Sequence, residues 1–304
     1  MTLLDIRNLQ LKMALTHGRV PILRGVDLTI NTGETCGLVG ESGAGKTMVA
    51  KALLGILPKR ARDVNGKLLF KDQDLLSISK RKHRRLLGKD ITLIPQDPMV
   101  SLNPVQTIGQ QYHTALKRHT SASRATLNKL AIAGLEEVLL SYPEKLLKLY
   151  PHELSGGMRQ RVLIAMAFAS KPSLVIADEP TTALDVTVQK RVLSLIKELQ
   201  KQHGTSVLFV THDLGVVAKL CDTVSVMHSG RVVEHGKCGQ IINHPQHTYT
   251  HALLNATPHF DRPGESLKPI DSNLEHELQQ ALETNNVANH DDPSQTKTDP
   301  RAGL

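Results

Sequence analysis

The sequence predicts an α/β protein: a mostly parallel sheet covered by helices, joined to an antiparallel β region and interrupted by a helical subdomain. Three observations carry that prediction. A glycine-rich loop, Gly40-Glu41-Ser42-Gly43-Ala44-Gly45-Lys46-Thr47, sits between a short apolar run and a helix-like pattern. From Gly157 onward, short apolar runs alternate with helical patterns, the signature of parallel strands joined by right-handed crossovers. Between Asp97 and about Leu149, strand signals disappear and long polar–apolar helical patterns replace them. Aromatic residues make up only 3% of the chain and Trp is absent, so the interior must be built from Leu, Ile, Val, Ala and Met, as in a sheet packed between helices.

In chain order, Leu3–Lys12 and Ile22–Ile30 carry alternating and branched apolar residues and read as strands of the antiparallel region. Thr35–Val39 is the buried strand that delivers the chain to the glycine loop. Thr47–Leu57 is the helix after it, with Pro58 as its stop. Ile91–Ile94 is a further strand ending at Pro95-Gln96. Thr107–Arg118 and Ala125–Glu137 are helices of the insert, which spans about residues 97–155. Then follow helix Gly157–Ala169, strand Ser173–Ala177, helix Val188–His203, strand Ser206–Val210, helix Leu214–Leu220 and two short strands, Thr223–His228 and Arg231–Glu234. Residues 1–260 form the folded domain on this reading. Residues 261–304 are polar and acidic, with few large apolar side chains, and are expected to be a disordered tail with one helical stretch over Leu274–Leu282.

Composition excludes several classes. No apolar stretch approaches the roughly 18 residues of a membrane span, and Asp5 and Arg7 interrupt any signal-peptide pattern. Cys36, Cys221 and Cys238 match no zinc spacing and no disulfide framework, which suits a reducing cytoplasm. The net charge is +8, yet the segment from Asp261 holds nine acidic and four basic residues, so the body is more basic than the average suggests. The densest basic run, Lys80-Arg81-Lys82-His83-Arg84-Arg85, lacks interleaved aromatics to stack on bases. A solvated face near a membrane partner is the preferred reading of it, and no nucleic acid is expected.

The glycine loop carries the first chemistry. Without Cβ atoms to crowd it, successive N–H groups around Gly43–Lys46 can turn inward onto phosphate oxygens, and the following helix aims its positive end at them. Lys46 would reach the β- and γ-phosphates, and the Thr47 hydroxyl would be a ligand of Mg²⁺. Roughly one random chain in a hundred of this length would match the pattern by chance, and the flanking strand and helix make chance a poorer account. Leu174-Val175-Ile176-Ala177-Asp178-Glu179 is a buried strand ending in two acids at the edge where such a loop opens. Asp178 is the candidate metal holder, through water. Glu179 is the candidate that polarises a water for in-line attack on the γ-phosphorus.

Leu154-Ser155-Gly156-Gly157-Met158-Arg159-Gln160-Arg161 resembles the signature sequence of the ABC ATPases, and it lies between the helical insert and the Asp178 strand as that family requires. The resemblance covers about Leu3 to Pro258. It implies a head-to-tail dimer enclosing two ATP molecules, in which Ser155 and Gly157 bind the γ-phosphate held by the partner's glycine loop. It also implies that Gln96 touches metal and attacking water, that Asp185 in Thr182-Ala183-Leu184-Asp185 contacts the dimer partner, and that His212 contacts the γ-phosphate. The family usually stacks adenine on an aromatic ring after the first strand. Lys12-Met13-Ala14-Leu15-Thr16-His17 offers none, so Met13 or His17 would pack on the base and base selectivity should be modest.

More particular strings resemble the ATPases of peptide and nickel importers: Ile94-Pro95-Gln96-Asp97-Pro98, Ser101-Leu102-Asn103-Pro104, Tyr150-Pro151-His152-Glu153, Pro180-Thr181-Thr182 with Asp185-Val186-Thr187, and His244-Pro245-Gln246-His247-Thr248-Tyr249-Thr250. That resemblance implies a peripheral subunit on the cytoplasmic face of the membrane. It would work with a second ABC ATPase, two integral membrane permeases and an extracytoplasmic solute-binding protein. Peptide is the preferred solute class, as the broader one. Nickel is the alternative, because the C-terminal cysteine cluster common in peptide-type relatives is missing. A soluble DNA-associated ABC ATPase would carry a zinc module or long coiled coil between its halves, and neither is in the sequence.

Overall fold

The computed structural model describes residues 1–16, 18–118, 120–182 and 184–256, and the compact unit it defines is Met1–Leu254. The expected acidic tail, its helical stretch and the candidate base-packing His17 lie outside the described residues.

Two long strands open the chain, β1 (Thr2–Leu15) and β2 (Gly18–Asn31), paired antiparallel. Along β1 the most deeply buried positions run Leu4, Ile6, then Leu9 and Leu11, so the inward phase slips by one residue. A strand alternates faces at every residue, so the slip needs a bulge. One lies between Ile6 and Leu9, where Asn8 takes a left-handed φ of 48° and its N–H is held by the Asp27 carboxylate at 2.9 Å. Next come β3 (Thr35–Val39), buried at every position, and α1 (Lys46–Leu53). This helix is shorter than the Thr47–Leu57 reading. Its stop is Gly55, at φ 62°, rather than Pro58, and a Cβ there would meet the His83 ring at 2.7 Å.

Two strands that the sequence reading left out follow, β4 (Ala61–Phe70) and β5 (Gln73–Asp74); with β1 and β2 they complete a four-stranded antiparallel sheet ordered β2-β1-β4-β5. The basic run forms α2 (Lys80–Leu86), capped by the Ser79 hydroxyl; none of its residues is buried, as a solvated face requires. After β6 (Ile91–Ile94) the insert is helical as expected: α3 (Pro98–Ser101), α4 (Ile108–Lys117), α5 (Arg124–Glu137) and α6 (Pro143–Leu146), then a 3-10 turn over Pro151–Glu153. Thr107 and Gln110 form a reciprocal capping box that fixes the start of α4. The insert is tied to the core by buried Tyr112, whose hydroxyl donates to the Ala165 carbonyl at 3.1 Å.

The second half alternates: α7 (Gly156–Phe168), β7 (Leu174–Asp178), α8 (Val186–His203), β8 (Ser206–Thr211), α9 (Leu214–Leu220), β9 (Thr223–His228) and β10 (Arg231–Lys237). The described residues close with α10 (Cys238–Asn243) and α11 (Thr248–Ala256), neither of which was expected. The six-stranded sheet is ordered β10-β9-β3-β8-β7-β6 and is parallel except for the β9–β10 pair. Its central strands are apolar on both sides, as a sheet covered on both faces demands. Among the described residues no helix is long and apolar enough to cross a membrane. Cys36, Cys221 and Cys238 are buried free thiols.

Candidate functional site

In this sheet β6, β7 and β8 are adjacent and parallel, so their carboxyl ends form one edge. The residues just beyond those ends are Gln96, Glu179 and His212. The glycine loop leaves β3, the neighbour of β8, at the same edge. A site at the carboxyl edge of a parallel sheet is what the topology alone would favour.

The loop itself is shaped by close packing. Gly40 has φ 152°, and a Cβ there would come 2.1 Å from the Met227 carbonyl oxygen, so no side chain fits. Gly43 and Gly45 also lie at positive φ, while Ser42 and Ala44 complete the turn. The Lys46 ammonium is buried and donates to the carbonyl oxygens of Gly40 at 2.7 Å and Glu41 at 2.8 Å. Burial lowers its pKa from the ordinary lysine value, and the carboxylates of Glu179, Asp178 and Glu41 oppose that pull. The net effect is a cation held in place facing negative groups.

The Thr47 side chain acts on the Asp178 carboxyl, holding its pKa down, so the two candidate metal residues are neighbours. Burial raises the Asp178 pKa and the adjacent Glu179 adds to the rise, against the opposing pull of Lys51, Lys46 and Thr47. One Asp178 carboxylate oxygen is buried without any hydrogen-bond partner. A buried acceptor of this kind is costly unless something fills its need. Hydrated Mg²⁺ would fill it, so the residues fit a metal held by Thr47 and Asp178.

Glu179 is where the predicted catalytic residues meet. Its Oε2 accepts from Gln96 Nε2 at 3.2 Å and from the Thr182 hydroxyl at 3.0 Å, and its Oε1 lies 3.3 Å from His212 Nδ1. The backbone of Glu179 is left-handed, φ 46°, and its N–H is anchored on the Val210 carbonyl at 2.8 Å. A glutamate in that conformation is strained by about 1–3 kcal/mol, the kind of strain that clusters at active sites. Its side chain is mostly enclosed while that of His212 is half exposed, which leaves the histidine free to meet a ligand from outside.

Other predicted residues are not brought into this cluster. Ser155 is the N-cap of α7, its hydroxyl accepting from the Met158 N–H at 3.3 Å. Gly157 packs close against Val188, which a Cβ would approach to 3.0 Å. Asp185 caps α8, with Oδ1 accepting from the N–H groups of Thr187 and Val188 at 3.0 and 2.9 Å. No hydrogen bond among the described residues joins Ser155, Gly157 or Asp185 to Lys46 or Thr47. Met13, a candidate for the base, is half-buried against the apolar core.

Sequence reasoning missed Thr182 as a partner of Glu179 and Tyr249 as a partner of the loop. Tyr249 is fully buried, and its hydroxyl oxygen accepts from the Glu41 N–H at 3.1 Å. The string His244 to Thr250 was noticed, but nothing in it signals which element that tyrosine reaches.

Residues 23–182 match the family model described as ABC transporter, and residues 233–283 match that of the oligopeptide/dipeptide transporter C-terminal region. The second match takes in part of the acidic segment. The dipeptide transport ATP-binding protein of Bacillus subtilis (strain 168) is 45% identical, over 88% of this chain and 80% of its own length. The oligopeptide transport ATP-binding protein of Salmonella typhimurium (strain LT2) is 42% identical over 89% of this chain and 81% of its own. Among solved structures, the post-hydrolysis dimer of the ATP-binding cassette MJ0796 with ADP and Pi aligns with a TM-score of 0.68 and 26% identity, over 77% of this chain and 98% of that one. With the glycine loop, the signature helix start and the acid-ended strand all in family order, the chain belongs to the ABC transporter ATP-binding proteins, in their oligopeptide/dipeptide group.

Proposed function

We propose that this chain is the ATP-hydrolysing subunit of a peptide importer, working at the cytoplasmic face of the membrane. The observation that carries the reading is the convergence of Gln96, Glu179 and His212 beside Lys46, Thr47 and Asp178. Residues 40–47 cradle the triphosphate, with Lys46 on the outer phosphates. Thr47, Asp178 and Gln96 hold Mg²⁺, which when bound neutralises charge on the phosphates. Glu179 takes the water proton as the general base, and His212 and Gln96 keep its carboxylate aimed. Ser155 and Gly157 serve the other pocket of a head-to-tail pair, with Asp185 at the seam.

The partners are a second ABC ATPase, two membrane permeases and an extracytoplasmic binding protein. Closure of the pair around ATP moves the permeases, and release of products reopens it. The names of the relatives support peptide over nickel as the solute. Uptake tests the choice: cells lacking this chain should fail to accumulate labelled di- or oligopeptides and should take up nickel normally. Normal peptide uptake with nickel uptake lost would overturn the assignment.

A further inference from the structure

We infer that Tyr249, from the C-terminal region, is a positioning residue for the phosphate-binding lysine, acting through the Gly40–Glu41 peptide. The inference rests on the nucleotide site proposed above. It adds a residue that lies outside the 23–182 cassette match and inside the 233–283 match.

The geometry is that of one peptide unit gripped from both sides. The carbonyl of Gly40 and the N–H of Glu41 belong to the same plane. Lys46 Nζ holds the carbonyl at 2.7 Å, and the Tyr249 hydroxyl oxygen holds the N–H at 3.1 Å. The same hydroxyl lies 3.4 Å from Glu41 Oε2, to which it donates. Gly40, at φ 152°, has the backbone freedom to let this plane turn. With Tyr249 in place, a turn would cost a hydrogen bond on each side. The Gly40 oxygen therefore keeps pointing at Lys46, and Lys46 stays at the mouth of the loop.

The tyrosine is itself fixed by tertiary contacts rather than by its own short helix. Its ring lies against His228 at the end of β9, with centroids 4.2 Å apart and planes tilted by 41°. The turn that leads into α11 is clamped to β10 by Glu234, which accepts from the N–H groups of Gln246 at 2.8 Å and His247 at 3.1 Å. Thr250 beside it is fully buried. Tyr249 thus links the C-terminal region to the nucleotide loop, and displacement of that region would be felt as a change in ATP affinity.

Tyr249→Phe removes the hydroxyl and keeps the ring on His228, so it separates positioning from packing. ATP affinity by titration calorimetry on the full chain should fall about 3- to 10-fold, the range of one lost hydrogen bond. In the assembled transporter the KM for ATP should rise by a similar factor while kcat stays within about twofold, the pattern of lost ground-state binding. Amide hydrogen exchange without nucleotide should speed up at the peptide containing Glu41, and a circular dichroism melt reports whether the variant is folded. Wild-type affinity and unchanged exchange in a folded Tyr249→Phe protein would overturn the inference while leaving the nucleotide site intact. A fall in kcat with unchanged KM would overturn it as well. Wild-type chain that bound no ATP would take down the site and the inference together.

Discussion

Glu179 combines a left-handed backbone with three side-chain neighbours, so its carboxylate is aimed by the fold rather than by ligand. Glu179→Gln keeps the shape and removes the base. Turnover should fall at least about 100-fold, the typical worth of a positioned general base, while ATP binding stays near wild type; phosphate release and nucleotide titration measure the two separately. Asp178 makes a different prediction. Its pKa is raised, so the folded ligand-free protein binds more protons than the unfolded chain in the window from the ordinary value of 3.8 up to the raised one. Stability therefore falls as pH rises through that window, and the penalty is fully present at neutral pH. Asp178→Asn should relieve that penalty and raise the nucleotide-free melting temperature at about pH 7.5. The gain should vanish below pH 3.8, where aspartate is protonated in both states, and melts across pH check the sign. The same variant should lose Mg²⁺-dependent turnover.

At the scale of elements, Asp185 carries two roles that mutation can separate. It caps α8 through two N–H groups, and it is the proposed seam residue of the pair. Asp185→Ala should lower stability by about 1 kcal/mol, the usual worth of an N-cap. Asp185→Asn should keep the cap and the melting temperature and lower only transporter ATPase activity; equal melting of wild type and Asp185→Ala would remove the cap from the account. Much of this was legible beforehand, for physical reasons. α9 and β9 match their expected bounds because apolar periodicity, a capping aspartate and a return to branched residues all agree over Asp213–His228. β4 was missed because its charged start and Gly66 break the alternation that marks a strand. The three catalytic candidates were readable from motif order. Their meeting at Glu179 was not, since it depends on β6, β7 and β8 being neighbours. Tyr249 was illegible in the same way: its partner lies 208 positions away, and only the packing of α11 onto β9 and β10 brings it there.

On the scale of the whole molecule, the chain carries two proposed anion sites that no hydrogen bond among the described residues joins to each other. One is the loop of Lys46 and Thr47. The other is the start of α7, where Ser155 and Gly157 present a helix N-terminus whose partial positive charge is open to a ligand. Each is half of a pocket if a second cassette supplies the other half, and ATP is then the glue between two surfaces. Glu179→Gln protein should accordingly be monomeric without nucleotide and dimeric with ATP, by sedimentation velocity, because bound ATP is not consumed. Adding Ser155→Asp sharpens the test. Aspartate caps a helix as well as serine does, so α7 and the melting temperature should hold. The new carboxylate, however, would face the partner's γ-phosphate, and like charges at that range are strongly repulsive in a closed interface. The double variant should bind ATP and stay monomeric. A dimer that formed as readily with Ser155→Asp as without it would mean that the α7 start does not meet the phosphates of a second chain, and the head-to-tail arrangement would fall.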